Sequence, residues 1–296
     1  AMAESTYTCR WCRMSTPAAD LTSCPTCGAP VDVRDMVSRS GWYELPAVPD
    51  MARLQFGRSY CQIEGAYVPV ADFNLAAEDS VYFAHHVLLW REPGVNVSAM
   101  SLRGGWKRLF AGMPLVMTQA QGPGHIAFSR DAPGEVVPIP LQPGTAVDVR
   151  EHLFVAATGQ VGYDWFNTNV WFQTRDGDDT ETHYPLGMFM DRFSAGQQPG
   201  LLLLHAAGNA FVRGLAAGES ILVKPTALLF KDTSVGMQLH MEHPSGTWRS
   251  WRSWGERYLW VRLHGPGRIA IQSAYDHFHD PGSNLSRTSP ATVWRW

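Results

Sequence analysis

Leu75-Ala-Ala-Glu-Asp-Ser-Val81, Leu141-Gln-Pro-Gly-Thr-Ala-Val147 and Leu215-Ala-Ala-Gly-Glu-Ser-Ile221 are three copies of one phrase. The register runs on without gaps: Val87, Leu153 and Ala227 share a column, and so do Val95, Val161 and Val235. A second phrase closes each copy, as Gly122-Pro-Gly-His-Ile-Ala-Phe128, Gln198-Pro-Gly-Leu-Leu-Leu-Leu204 and Gly265-Pro-Gly-Arg-Ile-Ala-Ile271. Repeats of about 70 residues predict a body in which each unit needs its neighbours to complete a core. An active site usually stands in a sequence as a singular constellation; here the scaffold is tripled.

Inside the copies the pattern is that of strands. Ala146-Val-Asp-Val149, Val161-Gly-Tyr-Asp-Trp165 and Tyr258-Leu-Trp-Val-Arg-Leu263 alternate apolar and polar positions. Pro133-Gly134, Pro143-Gly144, Pro199-Gly200 and Pro266-Gly267 mark turns at short intervals. Helical spacing is confined to Trp106 through Ala111 and Thr247 through Trp254, which are equivalent positions of the first and third copies. The expectation over residues 54–281 is an all-β, pseudo-threefold β-prism of three sandwich-like units. Residues 31–53, interrupted by Gly41, Pro46 and Pro49, read as a linker from which Trp42 and Tyr43 could pack onto the body. Residues 282–296 read as a tail that docks through its tryptophans.

The bulk numbers narrow the function class. Hydrophobic residues make up 45% of the 296 and charged residues 17%, which suits a globular chain and argues against disorder. A formal net charge of -3 lacks the basic excess of a general nucleic-acid binder. No stretch reaches the about 18 apolar residues that a helical membrane span needs. The first residues show no apolar signal core. The expectation is a soluble, cytoplasmic protein.

Four of the five cysteines form two knuckles, Cys9-Arg-Trp-Cys12 and Cys24-Pro-Thr-Cys27. Four thiolates at that spacing suit one tetrahedral Zn2+ ion, and residues 1–30 read as a miniature zinc ribbon. Two disulfides or a redox pair are the alternatives. So short a segment has no other core, so metal binding would supply most of its folding free energy, on the order of 10 kcal/mol. With four ligands in place the ion keeps no open position for chemistry.

The other candidates divide between bland and sharp readings. His85 and His86 precede a strand, His240 and His243 flank a strand end, and His277-Phe-His279 ends the body. A His-x-His on a strand puts both rings on one face, yet no further ligand follows at a fitting distance within the same unit. Cys61 has no His or Asp near it in sequence and reads as an inert buried thiol. Phosphate-cradling and hydrolase fingerprints do not occur. Trp248-Arg-Ser-Trp251-Arg-Ser-Trp254 is the most unusual local feature. As a short helix it would line up three tryptophans beside Arg249 and Arg252. Such a face suits a protein partner, the mouth of the core, or peripheral contact with an anionic membrane worth about 2 kcal/mol from two cations.

These phrases resemble the AIM24 family. The carrying residues are Phe110-Ala-Gly112, Gly122-Pro-Gly-His-Ile-Ala-Phe-Ser129, Pro133-Gly-Glu-Val-Val-Pro-Ile139, His152-Leu-Phe-Val-Ala156 and Gly265-Pro-Gly-Arg-Ile-Ala-Ile-Gln-Ser273. The resemblance implies the fold of the tryptophan RNA-binding attenuation protein, built as a three-repeat prism, and an oligomeric habit. It implies no reaction and no catalytic residues. Family members linked to mitochondrial inner-membrane organisation suggest scaffolding. This chain departs from the pattern at Gly112-Met-Pro-Leu-Val116, at Gly187-Met-Phe-Met190 and at Gln198, and the cysteine ribbon is an addition.

The reading is therefore a non-enzymatic scaffold, assembly or adaptor protein that binds other proteins and self-associates, with one structural Zn2+ on Cys9, Cys12, Cys24 and Cys27. Trp248, Arg249, Trp251, Arg252 and Trp254 are its candidate partner-binding residues. Two alternatives from other classes are a regulator binding RNA or single-stranded nucleic acid, and a metal-dependent or small-molecule-binding β-barrel enzyme.

Overall fold

The computed structural model describes residues 6–8, 14–17, 23–26, 28, 40–45, 51–100, 117–242, 258–276 and 285–295. Both stretches with helical spacing lie outside them. Ahead of the repeats come β1 (Thr6–Thr8), β2 (Ser15–Pro17), β3 (Trp42–Glu44), β4 (Ala52–Phe56) and β5 (Ser59–Glu64). The first repeat holds β6 (Val70–Leu75), β7 (Ser80–Ala84), β8 (Leu88–Arg91), β9 (Asn96–Ala99), β10 (Met117–Gln121) and β11 (Gly124–Ser129). The second holds β12 (Glu135–Leu141), β13 (Ala146–Arg150), β14 (Phe154–Thr158) and β15 (Val161–Asn167). It then inserts the hairpin β16 (Phe172–Asp176) and β17 (Asp179–His183) before β18 (Phe189–Ala195) and β19 (Gly200–Ala206). The third holds β20 (Ala210–Leu215), β21 (Ser220–Val223), β22 (Leu228–Asp232), β23 (Gly236–Glu242), β24 (Tyr258–His264) and β25 (Gly267–Gln272). Two tail strands follow, β26 (Leu285–Thr288) and β27 (Val293–Arg295).

The repeated columns coincide with equivalent places in this order. Leu75, Leu141 and Leu215 each end the first strand of a repeat and are buried, as are Val95, Val161 and Val235. β6 and β24 bury every second residue, the period of a strand with one face in the core. The tight Gly-Pro-Gly turns explain the second phrase. A Cβ on Gly122 would run into the carbonyl oxygen of Ala76, and one on Gly265 into that of the equivalent Ala216. Gly124 and Gly267 hold φ of 131° and 139°, which side chains disfavour. Gly200, their partner in the second copy, is not in that region, and there the first glycine is Gln198.

The sheets reveal how the repeats interlock. Each repeat gives its first, sixth and third strands to one sheet and its second, fifth and fourth to another. The third strand of one repeat then pairs with the second strand of the repeat before it. This joins β12-β19-β14 to β7-β10-β9 in one six-stranded sheet. It likewise joins β15-β18-β13 to β22-β25-β20-β3 in a seven-stranded sheet. Both seams are antiparallel and share one register. Ala156, Ala157 and Thr158 face Phe83, Tyr82 and Val81, while Phe230, Lys231 and Asp232 face Val149, Asp148 and Val147. The remaining half-repeats form β4-β5-β6-β11-β8 and β21-β24-β23-β27 as separate sheets. All three thirds are thus one β-rich body, with strands exchanged between neighbours.

The two seams are built from different chemistry. At the first, Tyr82 packs on Phe154 at 5.6 Å between ring centres, and Phe154 stacks on Phe193 at 4.8 Å. At the second, fully buried Asp148 lies on β13 between two cations. Lys231 Nζ on β22 donates to Oδ2 at 2.7 Å, and Arg192 Nε on β18 donates to Oδ1 at 2.6 Å. The hydrogen bond to Asp148 holds the Arg192 pKa above its ordinary range. Phe166 roofs the row, with the Arg192 guanidinium 4.7 Å from its ring centre.

The flanking segments add strands to this body. β3 pairs with β20, leaving Trp42 partly buried against the third-repeat core. In the tail, β26 pairs with β16 and β27 runs parallel to β23.

Candidate interaction site

Of the four cysteines expected to hold zinc, only Cys24 is among the described residues; Cys9, Cys12 and Cys27 are not. Cys24 is buried, and the Gly28 N–H donates to its carbonyl at 2.8 Å, with φ of 72° at Gly28. Among the described residues no group of three or more His, Cys, Asp or Glu is placed to hold a metal ion. The run Trp248, Arg249, Trp251, Arg252 and Trp254 lies outside the described residues, as do His243, His277 and His279. His240 sits in the interior of β23, with Nε2 3.5 Å from Glu242.

His85 and His86 form a short 3-10 turn, and the His86 ring meets the Arg130 guanidinium. Burial, with Arg130, His152 and His85 nearby, lowers the His86 pKa. His205, whose Nε2 bonds the Ala132 carbonyl at 3.0 Å, is also lowered, chiefly by burial. Cys61 is fully buried, and burial drives its thiol pKa far up, which makes it inert.

One polar constellation on β6 and β11 had no sequence signal. His125 Nδ1 lies 3.1 Å from both carboxylate oxygens of Asp72, and Nε2 lies 2.8 Å from the Asn74 side-chain nitrogen. An amide nitrogen can only donate, so Nε2 accepts and the ring proton on Nδ1 turns to Asp72. Burial raises the Asp72 pKa, opposed by the His125 hydrogen bond. This is an Asp–His pair whose outer nitrogen, the one a general base would use, is already occupied. Trp90 stacks on the same ring at 6.5 Å between centres.

A cleft of about 430 Å³ opens between the β4–β5 turn and the Gln198-Pro199-Gly200 turn. Gln55, Phe56, Pro140, Gln160 and Leu201 complete most of its lining, and no lining residue carries a titratable side chain. Such walls can hold a chain or a ring but cannot move a proton.

The exposed apolar surface lies elsewhere. On β8, Leu89 is 55% exposed and Trp90 44% exposed. Tyr67 and Val68, in the turn between β5 and β6, are also exposed. No helix among the described residues is long and apolar enough to cross a membrane.

Comparison with known proteins agrees with this architecture. The family model described as "Mitochondrial biogenesis AIM24" matches residues 61–274, more than half of the chain. The chain belongs to the AIM24 family. A crystal structure of a protein from Streptococcus pyogenes is similar, with a TM-score of 0.52 at 18% identity, covering 74% of this chain and 94% of that one. At that identity the likeness is one of fold. No curated protein matches the chain in sequence.

Proposed function

We propose that this protein is a non-enzymatic scaffold or adaptor acting in the cytoplasm, with a zinc ribbon on Cys9, Cys12, Cys24 and Cys27 ahead of an AIM24 body. The observation that carries the reading is the capped His125: the base-like pair in the body spends both ring nitrogens on Asp72 and Asn74. The cleft without titratable groups and the exposed Leu89 and Trp90 support it further. So does the family's description as one of mitochondrial biogenesis, a process of assembly. Trp248, Arg249, Trp251, Arg252 and Trp254 are the proposed contact residues for the protein partner, with anionic liposomes as the competing target in a flotation assay.

Two measurements test this reading. Metal analysis of the purified chain is expected to find one Zn2+ per chain, lost in Cys9→Ser or Cys24→Ser. A pull-down from the native cell with the intact chain is expected to capture partners that a chain lacking residues 1–40 does not. A turnover activity that survives purification would overturn the scaffold reading. The second reading, RNA or single-stranded nucleic-acid binding, draws on the analogy of fold and ribbon. It requires binding that weakens between low and high salt; binding without salt dependence, or none, removes it.

A further inference from the structure

The chain makes the same seam twice and leaves the strands for a third. In each closed seam, the third strand of one repeat pairs with the second strand of another: β14 with β7, and β22 with β13. By the same rule the third strand of repeat one, β8, and the second strand of repeat three, β21, are the two strands left over. Among the described residues β8 pairs only with β11, and β21 only with β24, so each is the edge of its sheet.

Their sequences match strands that are buried elsewhere. β14 is buried along its whole length and β22 over its first four residues, whereas in β8 only Leu88 is even partly covered. β7 buries its last four residues, while in β21 only Val223 is buried. Yet Leu88-Leu89-Trp90 and Ile221-Leu222-Val223 are as apolar as their counterparts Leu228-Leu229-Phe230 and Val81-Tyr82-Phe83. β8 ends in the charged Arg91 and is bulged at Leu89 against β11. The closed-seam strands β14 and β22 carry the same bulge, and β22 has a lysine in the Arg91 column, so neither feature prevents pairing. An apolar run at a sheet edge is a template for another strand.

We infer that β8 of one copy pairs antiparallel with β21 of a second copy, repeating the internal seam between molecules. The register follows from the columns. Phe83 opposite Ala156 and Val149 opposite Phe230 both translate to Val223 opposite Trp90, with Leu222 opposite Arg91. The contact is heterologous, so each copy offers one β8 and one β21, and each copy can pair with a neighbour on either side. The inference rests on strand pairing and not on the scaffold reading, which a turnover assay decides separately.

The experiment uses full-length chains carrying Trp90→Cys or Val223→Cys. When the two variants are mixed under mild oxidation, a disulfide-linked dimer is expected, because each chain alone lacks the other half of the pair. Tyr67→Cys mixed with Val223→Cys should give no such dimer. Leu89→Lys places a charge on the edge and is expected to weaken association at least about tenfold by analytical ultracentrifugation, with the far-UV circular dichroism spectrum unchanged. Three results would overturn the inference: no cross-link between the mixed variants, a cross-link within a single chain in the Trp90→Cys/Val223→Cys double variant, or sedimentation as a monomer at every concentration.

Discussion

The seam between repeats two and three and the unpaired strands β8 and β21 are the same piece of architecture in two conditions. At the closed seam, Lys231 and Asp148 face each other and both are buried. At the open one, their counterparts Arg91 and Leu222 face no strand among the described residues. The backbone plan is held constant while the side chains across it change from ionic to aromatic to apolar. What the repeat conserves is a register of main-chain pairing, and the chemistry laid over it sets how each seam is closed.

The largest expected effect breaks the ionic seam. Asp148→Ala leaves Lys231 buried and Arg192 half-covered without their anion, and a loss of about 3–5 kcal/mol by urea denaturation is expected. Replacing Asp148, Lys231 and Arg192 together by apolar residues should recover most of that loss, because the aromatic seam shows that the register does not need charge. A single variant no less stable than the parent would mean that the ion row is incidental.

A smaller effect separates the Gly-Pro-Gly turns. Gly122→Ala and Gly265→Ala press a methyl group against a backbone carbonyl and should each cost about 1–3 kcal/mol. Gln198→Ala, at the turn that has already given up its glycine, should stay within about 0.5 kcal/mol. Equal losses at all three would remove the steric reason for the phrase.

The pH response is subtler. His205 and His86 are held below their ordinary value of 6.5 by burial, so the unfolded chain takes up protons first as pH falls. Their contribution is therefore complete above about pH 6.5 and declines below it. Urea midpoints measured from about pH 7.5 down to about pH 5.5 should fall, and less steeply in His205→Gln; a midpoint that rises on acidification would contradict the assignment. The smallest effect is on the open edge, where Leu89→Lys should alter the stability of the dissociated chain by no more than about 0.5 kcal/mol.

Much of the fold was legible because it was written three times. The buried columns of Leu75, Leu141 and Leu215 are read from spacing alone, and alternation identifies strands such as β24. The exchange of strands between repeats was not legible, since β14 and β7 are far apart in sequence and no local signal encodes which distant strand a strand will meet. Asp148 could have been noticed: an acid in Ala146-Val-Asp-Val149 and a lysine in Leu228-Leu-Phe-Lys231 occupy otherwise apolar strands, and a buried charge needs a partner. The Asp72–His125 pair could not, because its members lie on strands joined only by folding. The cysteine knuckles are legible from spacing alone as a proposed zinc ligand set, of which the described residues include only Cys24, with the Gly28 N–H bonded to its carbonyl.

Hydrogen–deuterium exchange over a range of protein concentrations tests the seam rule most directly. Backbone amides of β14 and β22 should be protected at every concentration, while those on the outer edge of β8 should exchange quickly in dilute protein and become protected as it is concentrated. Protection of β8 equal to that of β14 even at the lowest concentration would contradict an edge completed by a second copy.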